Sequence, residues 1–396
     1  MFSAAFVFFS IFLFGGCDDR TDKNPEAEQK NEQLKAVWIS YSEFGALPAK
    51  SEDDFAEAVD EMFSRISGFS LNTVFVQVRA FSDAFYPSKI FPLTEYIDCG
   101  GELSFDPLEI MVSTAKKYSL SLHAWINPFR ISYKSDPDAL PEACPAKKWL
   151  SDNDKGNDTY VYISGSGIFY DPACAQVHKL IYSGIREILE KYDVDGIHID
   201  DYFYPTVEKE IDQKEFSEYK SSGGTLTLDE WRLKTINAFV AGMYKTVKMY
   251  GDDKLVSISP GGNIKKNIES YYADVKSWLS NEGFADMLIP QIYFGFENEK
   301  FPFEETLSTW KKLKTNNKVT LCAGLAAYKC GKADEYAGTG LNEWTESSDI
   351  LARQVKLSEK YGYDGFALFS YGSVFNDNLS QTQKKEIAEL ESQMHI

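Results

Sequence analysis

The sequence predicts a (β/α)8 barrel, and three observations carry that prediction. From Leu34 onward, strand and helix patterns alternate eight times in units of roughly forty residues, as parallel strands joined by right-handed crossovers do. Several strands alternate apolar with polar residues, which suits a barrel strand whose outer face meets helices and whose inner face lines a lumen. No GxGxxG follows the first strand, and an open sheet covered on both faces would want the inward polar positions apolar.

Residues 35–41 (KAVWISY) form the first predicted strand, with Trp38 and Ser40 on one face. Ser51 caps the first long helix, whose opening acids Glu52, Asp53 and Asp54 suit the helix dipole. Phe55, Val59, Met62, Phe63 and Ile66 follow at helical spacing. Residues 72–79 (NTVFVQVR) are the second strand, with Val74, Val76 and Val78 outward and Phe75, Gln77 and Arg79 inward. Asp106-Pro107 opens the next helix, since Asp caps it and Pro suits its first turn. Residues 120–127 (LSLHAWIN) are the third strand, pointing His123, Trp125 and Asn127 inward.

The connection from 130 to 170 is long and polar, the kind that forms a functional lid or wall, and Asp171-Pro172 repeats the cap signal for a third helix. Residues 195–205 (DGIHIDDYFYP) are the fourth strand and its loop; a charged insert over 207–227 and a long helix over 228–250 follow. Strands five to eight are read at 255–260, 286–293, 319–325 and 364–370, with helices at 272–279, 304–313 and 347–361, and a closing helix at 381–394. There is no sign of a second folded domain.

Composition narrows the function. The chain has 396 residues and a net charge of −19 with no basic patch, which argues against nucleic acid or an anionic membrane surface as partner. Aromatics reach 15%, which is compatible with carbohydrate stacking, although most such rings serve a core. Residues 2–14 are an apolar run too short to span a bilayer, followed by Gly15, Gly16 and Cys17, a step that resembles a bacterial lipobox. No Lys or Arg precedes the run, and Phe14 stands where Leu is usual. The expectation is a lipoprotein signal over 1–17 with Cys17 lipidated, a polar tether over 18–33 and a folded domain over 34–396, anchored in the cell envelope; a plain cleaved signal is the alternative. Cys99, Cys144, Cys174, Cys322 and Cys330 lack metal-ligand spacing, and four His form no HExxH, so no metal or cofactor is expected.

The chemistry concentrates at DGIHIDDYFYP. Asp200 and Asp201 stand at a strand's C-terminal end amid Tyr202, Phe203 and Tyr204, a poor choice for packing and a good one for a sugar site. The bland alternative is a loop whose Asp residues hold a turn. Glycosidases use two carboxyls, one as acid and one as nucleophile or base. Asp200, rigid at the strand end, is the first choice for nucleophile or base; Asp201, Asp83, Glu95 and Glu297 are candidate partners. Gln77, Arg79, Asp83, Trp125, Asn127, Arg130, His198, Gln291 and Tyr293 are the candidate substrate-binding residues, since they converge on one mouth from four strands. Each has a structural reading too: His198 as a satisfied lumen histidine, Trp125 as core, Arg79 or Arg130 as counter-ion to a carboxylate.

The stretches NTVFVQVRAFSDAFYPS, DPLEIMVSTAKKYSLSLHAWINPFR, DGIHIDDYFYP, and SPGGN followed by ADMLIPQIYF resemble the glycosyl hydrolase-like 10 family of bacterial envelope proteins. The resemblance runs from about Leu34 to the C-terminus. It implies a barrel, export or lipid anchoring, and hydrolysis of glycan strands, with peptide-free peptidoglycan as the expected substrate. By matching position Asp200 and Asp201 carry the family's paired acids, and all the binding candidates above except His198 match its cleft residues. Here Ala80-Phe81-Ser82 replaces the Pro, small residue and Gly frequent in the family. A carbohydrate-binding barrel without turnover, and a hydrolase of dietary or capsular polysaccharide, are the rival expectations.

Overall fold

The computed structural model describes residues 33–97 and 103–394. Eight parallel strands form its centre: β1 (Leu34–Ile39), β2 (Thr73–Arg79), β3 (Ser121–Ile126), β4 (Gly196–Ile199), β5 (Leu255–Ile258), β6 (Met287–Leu288), β7 in two segments (Thr320–Leu321 and Ala323–Leu325) and β8 (Gly365–Leu368). Neighbours in sequence are neighbours in space from β1 to β6. The first segment of β7 pairs with β6, the second with β8, and β8 pairs with β1. Cys322 joins the two segments of β7, so the ring closes and no sheet edge is left to pair with another chain. The strands are one to three residues shorter than most of the sequence patterns. β6 is the extreme case: beyond Leu288 its pairing continues only as bridges from Gln291 to Gly261 and to Gly324.

Period two sorts the side chains as the barrel requires. Leu34, Ala36, Trp38, Phe75, Trp125, Met287, Ile289, Cys322 and Ala367 form one cluster inside the ring. Val37, Ile39, Val74, Val76, Ile197, Ile199, Val256 and Ile258 join the larger core between strands and helices. The helix Glu52–Gly68 shows how that layer is built. Ser51 caps it by accepting the Asp54 N–H, and Phe55, Val59, Met62, Phe63 and Ile66 are all buried. Each such side chain stabilises the fold by roughly 1.5–3 kcal/mol over leaving it in water. Pro107–Lys117 is capped by Asp106 as expected, and Gln381–Met394 closes the chain.

One expectation needs correction, and two connections prove to carry elements of their own. Asp171-Pro172 marks a turn rather than a helix start: the Asp171 carboxylate accepts the Ala173 N–H at 2.7 Å, and the helix begins at Ala175. The 130–170 connection is a folded wall, with an antiparallel sheet of Arg130–Ser132, Val161–Ser164 and Gly167–Tyr170 and a helix Pro145–Ser151. The 207–227 insert likewise carries a helix, Gln213–Ser221. Cys144, Cys174, Cys322 and Cys330 are buried thiols outside any disulfide. Cys17, Cys99 and the expected leader and tether up to residue 32 lie outside the described residues. Among the described residues no helix is long and apolar enough to cross a membrane.

One buried ion pair ties the second wall to the barrel. Arg232, on the helix Leu228–Lys248, donates to both oxygens of Asp212 at 2.6 and 2.7 Å, and neither side chain is exposed. The same guanidinium donates to the Val207 and Glu208 carbonyls, and the Tyr204 hydroxyl donates to Asp212 at 2.9 Å. Every acceptor and donor is used, so the pair anchors the loop that follows β4. Replacing Asp212 with Ala leaves the arginine charge buried and unpaired, and should destabilise the protein by about 3–5 kcal/mol in denaturant unfolding. A loss under about 1 kcal/mol would show that the loop holds without it.

Candidate active site

The strand ends meet over a cavity of about 530 Å³. Asp200 and Asp201 line its floor, with Trp38 and Gln77 from β1 and β2, Trp125 from β3, Ser259, Gln291 and Tyr293 beyond β5 and β6, and Tyr328 and Phe369 beyond β7 and β8. The floor beneath them is made by the fourth strand. Gly196 has no side chain because none fits: a β-carbon there would strike the Leu255 carbonyl and the His123 ring. His198 sits above it, wholly buried.

A polar relay holds Asp200 from behind. The Tyr41 N–H donates to Gln77 Oε1 at 2.8 Å, and Gln77 Nε2 donates to Asn127 Oδ1 at 2.5 Å. Asn127 Nδ2 donates to both Asp200 oxygens at 2.7 Å, and the Tyr202 N–H adds a bond of 3.1 Å. Each amide in the chain is thereby oriented, since its oxygen accepts and its nitrogen donates. On the other side, Gln291 Nε2 donates to Asp201 Oδ1 at 3.3 Å and to the Ser259 carbonyl at 2.9 Å.

Burial dominates the electrostatics. It pushes the Asp200 carboxyl up, the charge of Asp201 adds to that, and the group titrates at about 7 although Arg130, Asn127 and the Tyr202 N–H favour its anion. Burial also raises Asp201, against the Gln291 bond. The two therefore titrate as a pair that holds one proton near neutrality, and the heavier burdens on Asp200 place that proton there. The lumen below adds no cation. Burial holds His123 near 4 and His198 well below its usual value, so both are neutral. The Trp38 N–H donates to His198 Nε2 at 3.0 Å, which leaves the proton on Nδ1, 2.8 Å from Ser257 Oγ.

The sequence candidates divide by position. Gln77, Trp125, Arg130, Gln291 and Tyr293 line the cavity, and Asn127 lies directly behind Asp200. His198 is a lumen residue bonded to Trp38, Ser257 and Ser259, and does not reach the cleft. Asp83 and Glu95 line a separate, smaller pocket. There Asp83 accepts the Phe81 N–H and Glu95 pairs with Lys134. Glu297 is exposed and lines none of these cavities. Arg79 is the clearest correction. A bulge skips Val78, so that Gln77 pairs with Trp125 and Arg79 with Ile126. This turns Arg79 out into the helix layer, over the Phe91 ring at 3.9 Å and against the helix at Gly184, where a side chain would collide with it.

Glu43 was missed. It lines the cavity, where its carboxylate accepts the Ser40 N–H and Oγ and the Ser370 Oγ and Gly372 N–H. Four donors engage it, so it clips the loop after β1 to the loop after β8. Ser40-Tyr41-Ser42-Glu43 is a capping-box pattern, and that was the available signal.

The raised Asp200 carboxyl bears on stability. A folded value near 7 against an ordinary carboxyl near 4 means that the native state binds the extra proton, so stability is lost as pH rises from about 4 through about 7. Asp200→Asn removes that loss. The variant should be more stable than the parent at pH 8 by at least about 1 kcal/mol, with the gap closing by pH 4. A gap that stays constant with pH in denaturant titrations would show that Asp200 does not titrate in this range.

Comparison with known proteins bears on the family and the fold. The glycosyl hydrolase-like 10 family profile matches residues 33–338. "Glycosyl hydrolase YngK" of Bacillus subtilis is 30% identical over 329 residues, which cover 76% of this chain and 62% of that protein. "Glycosyl hydrolase DigH" of Escherichia coli K12 is 25% identical over 338 residues, covering 77% of this chain and 75% of that one. The chain thus spans just under two thirds of the first of these relatives. Among solved structures, an α-L-fucosidase of Paenibacillus thiaminolyticus superposes with a TM-score of 0.58 at 10% identity, over 92% of this chain and 49% of that one. The catalytic domain of a β-amylase from Paenibacillus polymyxa gives 0.55 at 10% identity, over 91% and 98%. At such identity these two speak for the barrel alone. The profile match over most of the chain makes this protein a member of the glycosyl hydrolase-like 10 family.

Proposed function

We propose that the chain is an exported, lipid-anchored glycoside hydrolase of the bacterial cell envelope that cleaves glycan strands, with peptide-free peptidoglycan or a related amino-sugar polymer as substrate. One observation carries the chemistry: two carboxyls share the floor of an aromatic-lined cleft, and one of them titrates at about 7. A carboxylic acid that keeps its proton at neutral pH is what protonation of a glycosidic oxygen requires. A site that only bound sugar would have no use for it. The name "glycosyl hydrolase" on both relatives supports the reading. The amino-sugar substrate and the lipid anchor rest on the family resemblance and on the Gly15-Gly16-Cys17 step.

In this scheme Asp200 gives its proton to the bridging oxygen as the bond from the anomeric carbon to that oxygen breaks. Asp201 is the anionic partner, which attacks the anomeric carbon or takes a proton from the incoming water. One water is consumed, its hydroxyl ends on the anomeric carbon, and a proton returns to the pair. This exchanges the roles expected from strand-end rigidity, because burial and the neighbouring charge act hardest on Asp200. Trp125, Tyr202, Tyr293, Tyr328 and Phe369 line the cleft and can stack on the sugars.

Asp200→Asn and Asp201→Asn should each lower the release of reducing ends from peptide-free glycan strands by about 10²- to 10⁴-fold. Mass spectrometry of the products reports the cleaved bond and the terminal sugar. Wild-type turnover by either variant would remove that residue from the mechanism.

A further inference from the structure

The catalytic cavity does not end at Asp201. A second cavity of about 400 Å³ lies on the far side of Arg130, Asp201 and Tyr202, which line both. Its other walls are largely aromatic, with Tyr133, Phe169 and Tyr271 among them. Tyr133 and Tyr202 are 53% and 47% exposed, unusual for rings with so much core available, and they offer open faces along the junction. The antiparallel sheet after β3 supplies Arg130 and Phe169 to this second lobe.

Arg130 stands at that junction in a fixed pose. Its guanidinium lies 4.5 Å from the Phe81 ring centre and 4.4 Å from that of Tyr202, clamped between two π-faces. Its Nε donates to the Ala80 carbonyl at 3.1 Å. Among the described residues neither terminal nitrogen has a protein acceptor, and no carboxylate lies within 4.0 Å of them. Arg130 is also the one cation among the described residues lining either lobe, in a chain of net charge −19. A planar fork held by stacking, with free parallel donors facing a cavity, is built for bidentate capture of a carboxylate.

We propose that Arg130 reads a carboxylate on the substrate, so that this cleft selects an acidic sugar seated across the junction of the two lobes. The proposal rests on the glycosidase reading above and adds a specificity residue to it. Two chemistries present such a group: a 3-O-lactyl amino sugar, whose acid is free only once no peptide is attached, and a uronic acid. The first is favoured, because its acid hangs from a ring flanked by acetamido groups that suit the aromatic walls of the second lobe. An amide-linked peptide turns that acid into a neutral group which accepts from Arg130 without the charge.

The test compares oligosaccharides of alternating N-acetylglucosamine and N-acetylmuramic acid with the same chains after conversion of the lactyl acid to a carboxamide. A glucuronate-containing oligosaccharide and its methyl ester form a second pair. Turnover is measured for wild type, Arg130→Gln and Arg130→Lys, and affinity is measured calorimetrically on Asp200→Asn with and without Arg130→Gln. In wild type the acid form of one pair should be preferred by roughly 10- to 100-fold in kcat/KM and in affinity, the range for a charged hydrogen bond. Arg130→Gln should bring that ratio near one, and Arg130→Lys should restore part of it. If Arg130 served only as a counter-ion to Asp200, Arg130→Gln would shift the pH profile of acid and neutral substrates alike and leave their ratio unchanged. That result, or a wild-type ratio near one for both pairs, overturns the proposal. Binding that prefers the acid without any hydrolysis would overturn the glycosidase reading and leave this one standing.

Discussion

The mouth of this barrel depends on one unfavourable arrangement: two successive carboxyls, the buried Asp200 and the half-buried Asp201, set low in one cleft. Like charges in a buried site cannot both ionise cheaply, so one proton stays. What surrounds the pair keeps it there. Asn127 and Gln291 hold the two carboxyls from different sides. The lumen beneath is neutral, because both of its histidines are buried and bonded to serine hydroxyls. A charged imidazolium at His198 would stabilise both carboxylates and pull the proton off. The indole N–H of Trp38, donating to the ring nitrogen that would otherwise accept that proton, helps to prevent it.

The barrel makes this possible through division of labour. Alternate residues of each strand build the helix-facing core, which carries the stability of the fold. The remaining positions are released from that duty, and near the strand ends they become the polar relay. The relay begins at a backbone N–H, that of Tyr41, and so ends in a part of the molecule that cannot rotate away. Glu43 fixes the same loop from the other side by joining it to the chain after β8. First and last strands are thereby joined at the rim as well as through their ladder.

The sequence disclosed the strands, their direction and the convergence of Gln77, Trp125, Asn127, Asp200, Gln291 and Tyr293, because period two and the strand order determine all of these. It failed where the period itself breaks. The bulge after Gln77 adds a residue, and every side chain beyond it changes face, which is how Arg79 passed from the mouth to the helix layer. The internal structure of the walls was hidden for another reason. Strands of three or four residues such as Arg130–Ser132 and Val161–Ser164 are too short to show a period, and they form by pairing with each other rather than by propensity. Asp171-Pro172 misled because an Asx turn and a helix cap use the same hydrogen bond from a carboxylate to a backbone N–H. Glu43 escaped because the strand pattern was carried through Tyr41, over the capping box that ends it.

The two arginines that looked alike in sequence show what the site avoids. Arg79 is wholly buried with Nε and Nη1 unpartnered, and burial lowers its affinity for a proton. Arg130 keeps its terminal donors in the open, clamped by rings rather than by a carboxylate. Neither forms an ion pair with Asp200 or Asp201, although such a pair would satisfy a buried charge on both sides. It would also depress a carboxyl by roughly 1–3 pKa units and strip Asp200 of its proton at neutral pH. The cleft therefore holds its acids with amides and its cation with aromatic faces. That choice costs stability in each case, and it leaves one group able to give a proton and another able to take an anion.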